Sequence, residues 1–99
     1  MGYQRLLDDR VVLISGGTMG VGAATAIAAA EAGASAVVIS GRRPDKAEPT
    51  VARIRDAGAE ALFVQADVAD VEAAINTVEA TVSAYGRIDC LVNAAAVVD

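Results

Sequence analysis

The sequence predicts an α/β fold in which a parallel sheet carries helices on both faces, and three observations lead there. Four short apolar runs alternate with three longer helical segments in the order βαβαβαβ. Those runs are continuous rather than alternating in polarity, as strands buried on both faces are. Parallel strands need crossover helices, which are right-handed. The composition agrees: 55% hydrophobic, 3% aromatic and 23 alanines, so the elements pack closely through small side chains, as helices lying tight on a sheet do.

Taken in order, Arg10–Ser15 (R-V-V-L-I-S) is the first strand, an apolar run between charge and glycine. A helix follows from Gly20 to Ala32 and is closed by Gly33. Ala36–Ser40 is the second strand. Asp45–Ala57 is the second helix; Pro49 is tolerable in its first turn and would kink it any deeper. Ala61–Ala66 is the third strand. Asp70 then caps a third helix whose apolar residues Val71, Ala74, Ile75, Val78, Val82 and Tyr85 recur at helical spacing, and Gly86 ends it. Ile88–Asn93 is the fourth strand. Residues 20–40 are apolar enough to resemble a membrane span, but Glu31, Gly33 and the change to the β-branched run Val37–Ile39 read instead as helix, turn and strand.

Ninety-nine residues make one domain at most. The formal charge of −5 argues against a nucleic-acid partner, which needs clustered Lys and Arg. A single cysteine, Cys90, forms no internal disulfide and reads as a small buried apolar residue. Without histidine there is no Cys/His set for zinc or for a nucleophile. The N-terminus carries Asp8 and Asp9 with no preceding apolar core, so no secretory signal is read and a cytoplasmic location is expected.

The chemistry is concentrated in S-G-G-T-M-G-V-G, Ser15–Gly22, with four glycines in eight residues between the first strand and the first helix. Open α/β folds bind ligands at that end of the sheet. Gly16 permits a tight turn, Gly20 lets the backbone approach a ligand, and Gly22 lets the helix press onto the strand. The first-turn amides, with the helix dipole, then suit a pyrophosphate. No Gly-Lys-Ser/Thr follows, so a nucleoside triphosphate loop is disfavoured. Twenty positions beyond Gly22 the second strand ends in Gly41-Arg42-Arg43. A free ribose 2′-hydroxyl is held there by Asp or Glu, whereas paired arginines neutralise a 2′-phosphate, so NADP(H) is expected over NAD. The alternative is two solvated surface arginines.

These features resemble the N-terminal part of a short-chain dehydrogenase/reductase over nearly the whole chain. The family's Thr-Gly-x-x-x-Gly-x-Gly motif matches Ser15, Gly16, Gly20 and Gly22, with Thr18, Met19 and Val21 inside the same loop. Its Asp-Val pair after the third strand, where the Asp meets the adenine amino group, matches Asp67-Val68; Asp67 read alone is also a helix or turn cap. Its Asn-Asn-Ala-Gly matches Asn93-Ala94-Ala95-Ala96 in part, with Ala94 lacking a side-chain amide and Ala96 lacking glycine's freedom; Asn93 read alone ties the strand end to backbone. Met19 stands where some NADP-preferring relatives carry a basic residue, which leaves a 2′-phosphate to Arg42 and Arg43.

The resemblance implies a Rossmann-type sheet of order 3-2-1-4, incomplete at its C-terminus, and residues 1–99 as the NAD(P)-binding portion of a single-domain oxidoreductase. It also implies hydride transfer between nicotinamide and a small carbonyl or alcohol, with a proton relay of Tyr, Lys, Ser and Asn. All four relay residues lie past Asp99 in that family, so no catalytic residue is assigned. Neither Tyr3, followed four residues on by Leu7, nor Tyr85, followed by Asp89, makes a Tyr-x-x-x-Lys pair, and Tyr85 reads as a core-edge residue closing the third helix. The fourth strand would be an apolar edge that invites association, and a homo-oligomeric parent is expected. Two other classes stand beside this one: a non-catalytic nucleotide-binding or interaction module complete at this length, and a methyltransferase, disfavoured because Gly41-Arg42 replaces the acidic ribose ligand.

Overall fold

Seven elements alternate along the chain in a computed structural model that describes residues 5–67 and 69–94. They are β1 (Val11–Ser15), α1 (Gly20–Glu31), β2 (Ala36–Gly41), α2 (Pro44–Asp56), β3 (Glu60–Gln65), α3 (Val71–Tyr85) and β4 (Cys90–Asn93). The four strands form one parallel sheet in the order β3-β2-β1-β4, as expected. β1 pairs with β2 from Val11↔Ala36 to Ser15↔Ser40 and with β4 from Val12↔Cys90 to Ser15↔Asn93. Right-handed crossovers put α1 and α2 together on one face and carry α3 over the other, where it packs on β2 and β3. Residues 20–40, the stretch apolar enough to resemble a membrane span, are divided between α1 and β2, and among the described residues no helix is long and apolar enough to cross a membrane.

The central strands explain why their sequences are unbroken apolar runs. Val11–Ile14 and Ala36–Ser40 are buried, because both faces of β1 and β2 are covered. On one face Val12, Ile14, Val37 and Ile39 meet Ala26, Ala29 and Ala30 of α1 and Ala47 and Ile54 of α2. Alanine on α1 lets the helix axis approach the sheet closely, and the volume is filled by the branched strand residues. The outer strands β3 and β4 are only partly covered, and Cys90, half-buried and free, packs against the rim of this core.

Helix boundaries fall within a residue or so of expectation. α2 starts at Pro44 rather than Asp45, since proline at the first helical position needs no amide partner. Pro49 lies well inside α2, beyond the first turn, and the helix continues to Asp56. Its missing amide deprives only the carbonyl of Asp45, and both residues are exposed, so water can take that acceptor. α3 is capped by Asp70, whose Oδ1 accepts from the amides of Glu72 (3.0 Å) and Ala73 (3.4 Å). It ends at Gly86, at φ +84°, whose amide donates to the Val82 carbonyl at 2.7 Å.

The face that α3 lays on the sheet is not its apolar stripe. Thr77 and Thr81 are the buried residues, while Val71, Ile75, Val78 and Val82 are exposed. Burying threonine costs little here because each hydroxyl donates back along the helix, Thr77 Oγ1 to Ala73 O and Thr81 Oγ1 to Thr77 O, both at 2.8 Å.

Before β4, Asp89 takes over the role expected of strand backbone from Ile88. Its Oδ2 accepts from the Val11 amide and from Arg87 Nε, both at 2.8 Å, and its own amide donates to the Val11 carbonyl at 2.9 Å, so the strand proper starts at Cys90. The Val11 amide, with Arg87 second, holds the Asp89 carboxyl below its ordinary 3.8. A folded-state pKa below the unfolded one stabilises the fold above about pH 4 and loses that contribution as the pH falls through the lowered value. Asp89→Asn is therefore expected to be less stable at neutral pH and to show a flatter stability decline in acid, read by urea denaturation between pH 2.5 and 7; parallel acid limbs would refute the linkage.

Candidate functional site

The junction of β1 and α1 is built by small residues. Gly16 turns the chain at φ +84°, and the amides of Gly16 and Gly17 donate to the Ser40 carbonyl at 3.0 and 3.2 Å, tying the turn to the end of β2. Those two amides thus face protein. A Cβ on Gly17 would stand 2.5 Å from Ile39 Cγ2, and one on Gly41 2.6 Å from Thr18 Cγ2, so the turn seats directly on β2. Gly22 differs from the sequence expectation that it lets α1 press onto the strand: its Cβ would lie 2.1 Å from the Gly16 carbonyl oxygen, so its smallness brings the helix start against the turn itself.

α1 then opens without a side-chain cap. Its N-cap is Met19, in extended backbone, and its first turn carries no acidic residue. Among the described residues the amides of Gly20, Val21 and Gly22 have no acceptor. Uncapped amides at the positive end of a helix dipole can receive an anion, a phosphate, sulfate or carboxylate among them. At Gly20, which adopts φ +60°, a Cβ would meet nothing within 4 Å, consistent with backbone open to an approaching group.

Around this turn lies a cleft of about 970 Å³ at the carboxyl end of the strands. Of the residues singled out in the sequence, Gly16, Thr18, Met19, Arg42, Arg43, Asp67, Asn93 and Ala94 line it. Gly20, Val21 and Gly22 do not, although they follow directly on Met19, which does. Val68 and Ala95 lie outside the described residues, as does Ala96. Tyr85 is not a cleft residue; partial burial pushes its phenol above the ordinary value.

The polar side chains of the cleft differ in how far they are committed. Arg43 is paired with Asp45 through two bonds, Nε to Oδ1 at 3.2 Å and Nη2 to Oδ2 at 2.9 Å, and this partner holds the Asp45 carboxyl below its ordinary range. Arg42 has no side-chain partner among the described residues, while its carbonyl accepts from Gln65 Nε2 at 3.1 Å. Asp67 is exposed and accepts from the Ala69 amide through Oδ1 at 2.9 Å, so the turn-capping reading holds for one oxygen, and Oδ2 has no partner among the described residues. Asn93 pairs in register with Ser15, and its side chain has no partner among the described residues; the backbone tie at this strand end is the Ala94 amide to the Ser15 carbonyl at 2.8 Å.

Lys46 also lines the cleft and was not singled out in the sequence. Its signal was available: it lies in the first turn of the helix after β2, where a helix N-terminus returns to the carboxyl end of the sheet beside the two arginines. Ala74, Thr77 and Val78 of α3 and Leu13 and Leu91 of the sheet add a largely apolar share of the lining.

The short chain dehydrogenase family model matches residues 10–99. The chain is 43% identical over 90 residues to the A-factor type gamma-butyrolactone 1′-reductase (1S-forming) of Streptomyces virginiae, covering 91% of this chain and 35% of that protein. A short-chain dehydrogenase/reductase from Serratia marcescens superposes with a TM-score of 0.87 at 37% identity, over 92% of this chain and 37% of that one. An NADH-dependent reductase complexed with NAD superposes with a TM-score of 0.81 at 32% identity, over 90% of this chain and 37% of that one. The chain spans about a third of the length of the curated relatives it matches. With a parallel sheet in the order 3-2-1-4, a glycine turn at its carboxyl end and a family match over nine-tenths of its residues, the chain belongs to the short-chain dehydrogenase family.

Proposed function

We propose that these residues supply the coenzyme-binding half of an oxidoreductase that uses NADP(H) in preference to NAD(H) on a small carbonyl or alcohol. The observation that carries this reading is the uncapped start of α1 beside a cleft lined, at the end of β2, by Arg42 and Arg43. The residues fit the group: Gly22 leaves no room for a side chain between helix and turn, and the amides of Gly20, Val21 and Gly22 are open to a diphosphate. Arg42 and Arg43 would hold the 2′-phosphate. Asp67 would accept from the adenine amino group through Oδ2, with Val68 beside it. Thr18 and Met19 would border the diphosphate, and Asn93, Ala94 and Ala95 would flank the coenzyme where β4 ends. When bound, the nicotinamide supplies the hydride. What this chain contributes is orientation: two strand ends, a helix start and a pair of cations that fix where the coenzyme lies against the sheet.

The test is coenzyme binding to the full native chain, followed by fluorescence titration. Charge-assisted bonds are worth about 1.5–3 kcal/mol, which is about ten- to a hundredfold in affinity. Arg42→Ala/Arg43→Ala is expected to weaken NADPH by that factor and NADH by less than about threefold. Equal losses for both coenzymes would remove the 2′-phosphate role and leave NAD(H) as the partner.

A further inference from the structure

The junction of β2 and α2 brings three cations to the cleft, Arg42, Arg43 and Lys46, and one of them is already committed. Arg43 gives both Nε and Nη2 to the Asp45 carboxylate, a fork-to-fork pairing that occupies one of the two bidentate edges of the guanidinium and partly neutralises its charge. Arg42 and Lys46 have no such partner among the described residues. Asp45 stands outside the cleft, exposed, in the first turn of α2. Its carboxylate therefore subtracts from the positive field at the cleft wall without touching what the cleft holds.

Resting on the NADP(H) reading above, we propose that Asp45 is a specificity-determining residue: it competes with the coenzyme's 2′-phosphate for Arg43 and so limits the preference for NADPH over NADH. Binding the 2′-phosphate requires Arg43 to leave or share its carboxylate, whereas NADH, lacking that phosphate, leaves the pair intact. The pair is exposed on both sides, so solvent screens it and the effect is modest.

Four chains distinguish the outcomes in direct titrations with NADPH and NADH: wild type, Asp45→Asn, Arg43→Ala and Arg43→Ala/Asp45→Asn. Asp45→Asn is expected to tighten NADPH by about three- to fivefold and to leave NADH unchanged, which also serves as the check that the site is folded. In the Arg43→Ala background the same substitution is expected to have no effect on either coenzyme. Unchanged or weaker NADPH binding in Asp45→Asn overturns the proposal, and so does a gain of the same size without Arg43, which would be a through-space effect of charge alone. If Arg43→Ala lowers NADPH selectively while Asp45→Asn does not alter the ratio, Asp45 fails and the coenzyme reading stands. If Arg43→Ala lowers both coenzymes equally, the reading itself has failed.

Discussion

Gly22→Ala is expected to destabilise the protein by about 2–3 kcal/mol and to weaken dinucleotide binding with it. Helix propensity alone argues the other way, since alanine inside a helix is favoured over glycine by about 1 kcal/mol. Space decides the sign. The added Cβ would stand 2.1 Å from the Gly16 carbonyl oxygen and 3.1 Å from the Gly17 Cα, both backbone atoms with no rotamer to move. Relief requires the helix start or the turn to shift by about an ångström, and overpacking of that kind costs about 1–3 kcal/mol or more. The turn is pinned to Ser40 through the amides of Gly16 and Gly17, so α1 gives way, and the amides of Gly20 and Val21 move with it. Thermal melts of Gly22→Ala against Gly58→Ala report the difference. Gly58 has φ +101° and nothing within 4 Å of its Cβ, so it isolates backbone strain without the clash and keeps coenzyme affinity. A stabilised Gly22→Ala would mean that propensity rules at this site and that the contact with the turn is not tight.

The parts of the fold that were legible in the sequence are those where one physical effect dominates. β1 and β2 declare themselves because burial on both faces leaves no polar position in Val11–Ile14 or Val37–Ile39. The two ends of α3 do so because Asp70 and Gly86 are chemically suited to them. The face of α3 was not legible. Its spacing marks Val71, Ile75, Val78 and Val82, yet the sheet takes Thr77 and Thr81, whose hydroxyls are satisfied within the helix and so carry no outward sign of burial. The stripe and the buried face share a helix and differ only in what lies opposite, which periodicity does not record.

In the site, the turn was legible because glycine spacing reports backbone demands directly. That Gly22 packs on Gly16 rather than on the strand was not, since both contacts ask for the same missing side chain. The Arg43–Asp45 pair was hidden for a different reason. Residues two apart do not face each other on a helix, and they meet here only because Arg43 is the extended N-cap and Asp45 lies in the first turn. Lys46 escaped notice because a lysine in a first helical turn is ordinarily a solvated residue, and only the return of α2 to the cleft gives it another role.

Ile54→Ala is expected to cost about 2–5 kcal/mol, the largest loss of stability from a single truncation among the core residues of α2. The reason lies in how few large side chains this alanine-rich chain buries. On α2 the buried residues are Ala47, Thr50 and Ile54, so Ile54 is the one large apolar side chain of this helix that is fully buried in the core, with Val51 packed against it only in part. It is fully enclosed at 0% exposure within a close-packed core, so truncation leaves a cavity that its neighbours fill only in part. Ile54→Val, which removes one methylene, is expected to cost only about 0.5–1.5 kcal/mol. Ile54 does not line the cleft, whereas Arg43 and Lys46 at the opposite end of the same helix do. Coenzyme affinity is therefore expected to fall only as far as the folded fraction falls, with the ratio of NADPH to NADH unaltered, while loss of the arginines changes that ratio without lowering the melting temperature by more than a degree or so. Urea titrations and coenzyme titrations on the same preparations separate the two behaviours. A shift in coenzyme ratio in Ile54→Ala at full folding would show that α2 tilts as a rigid rod about its core contact, coupling the packing of its buried face to the cations at its N-terminus.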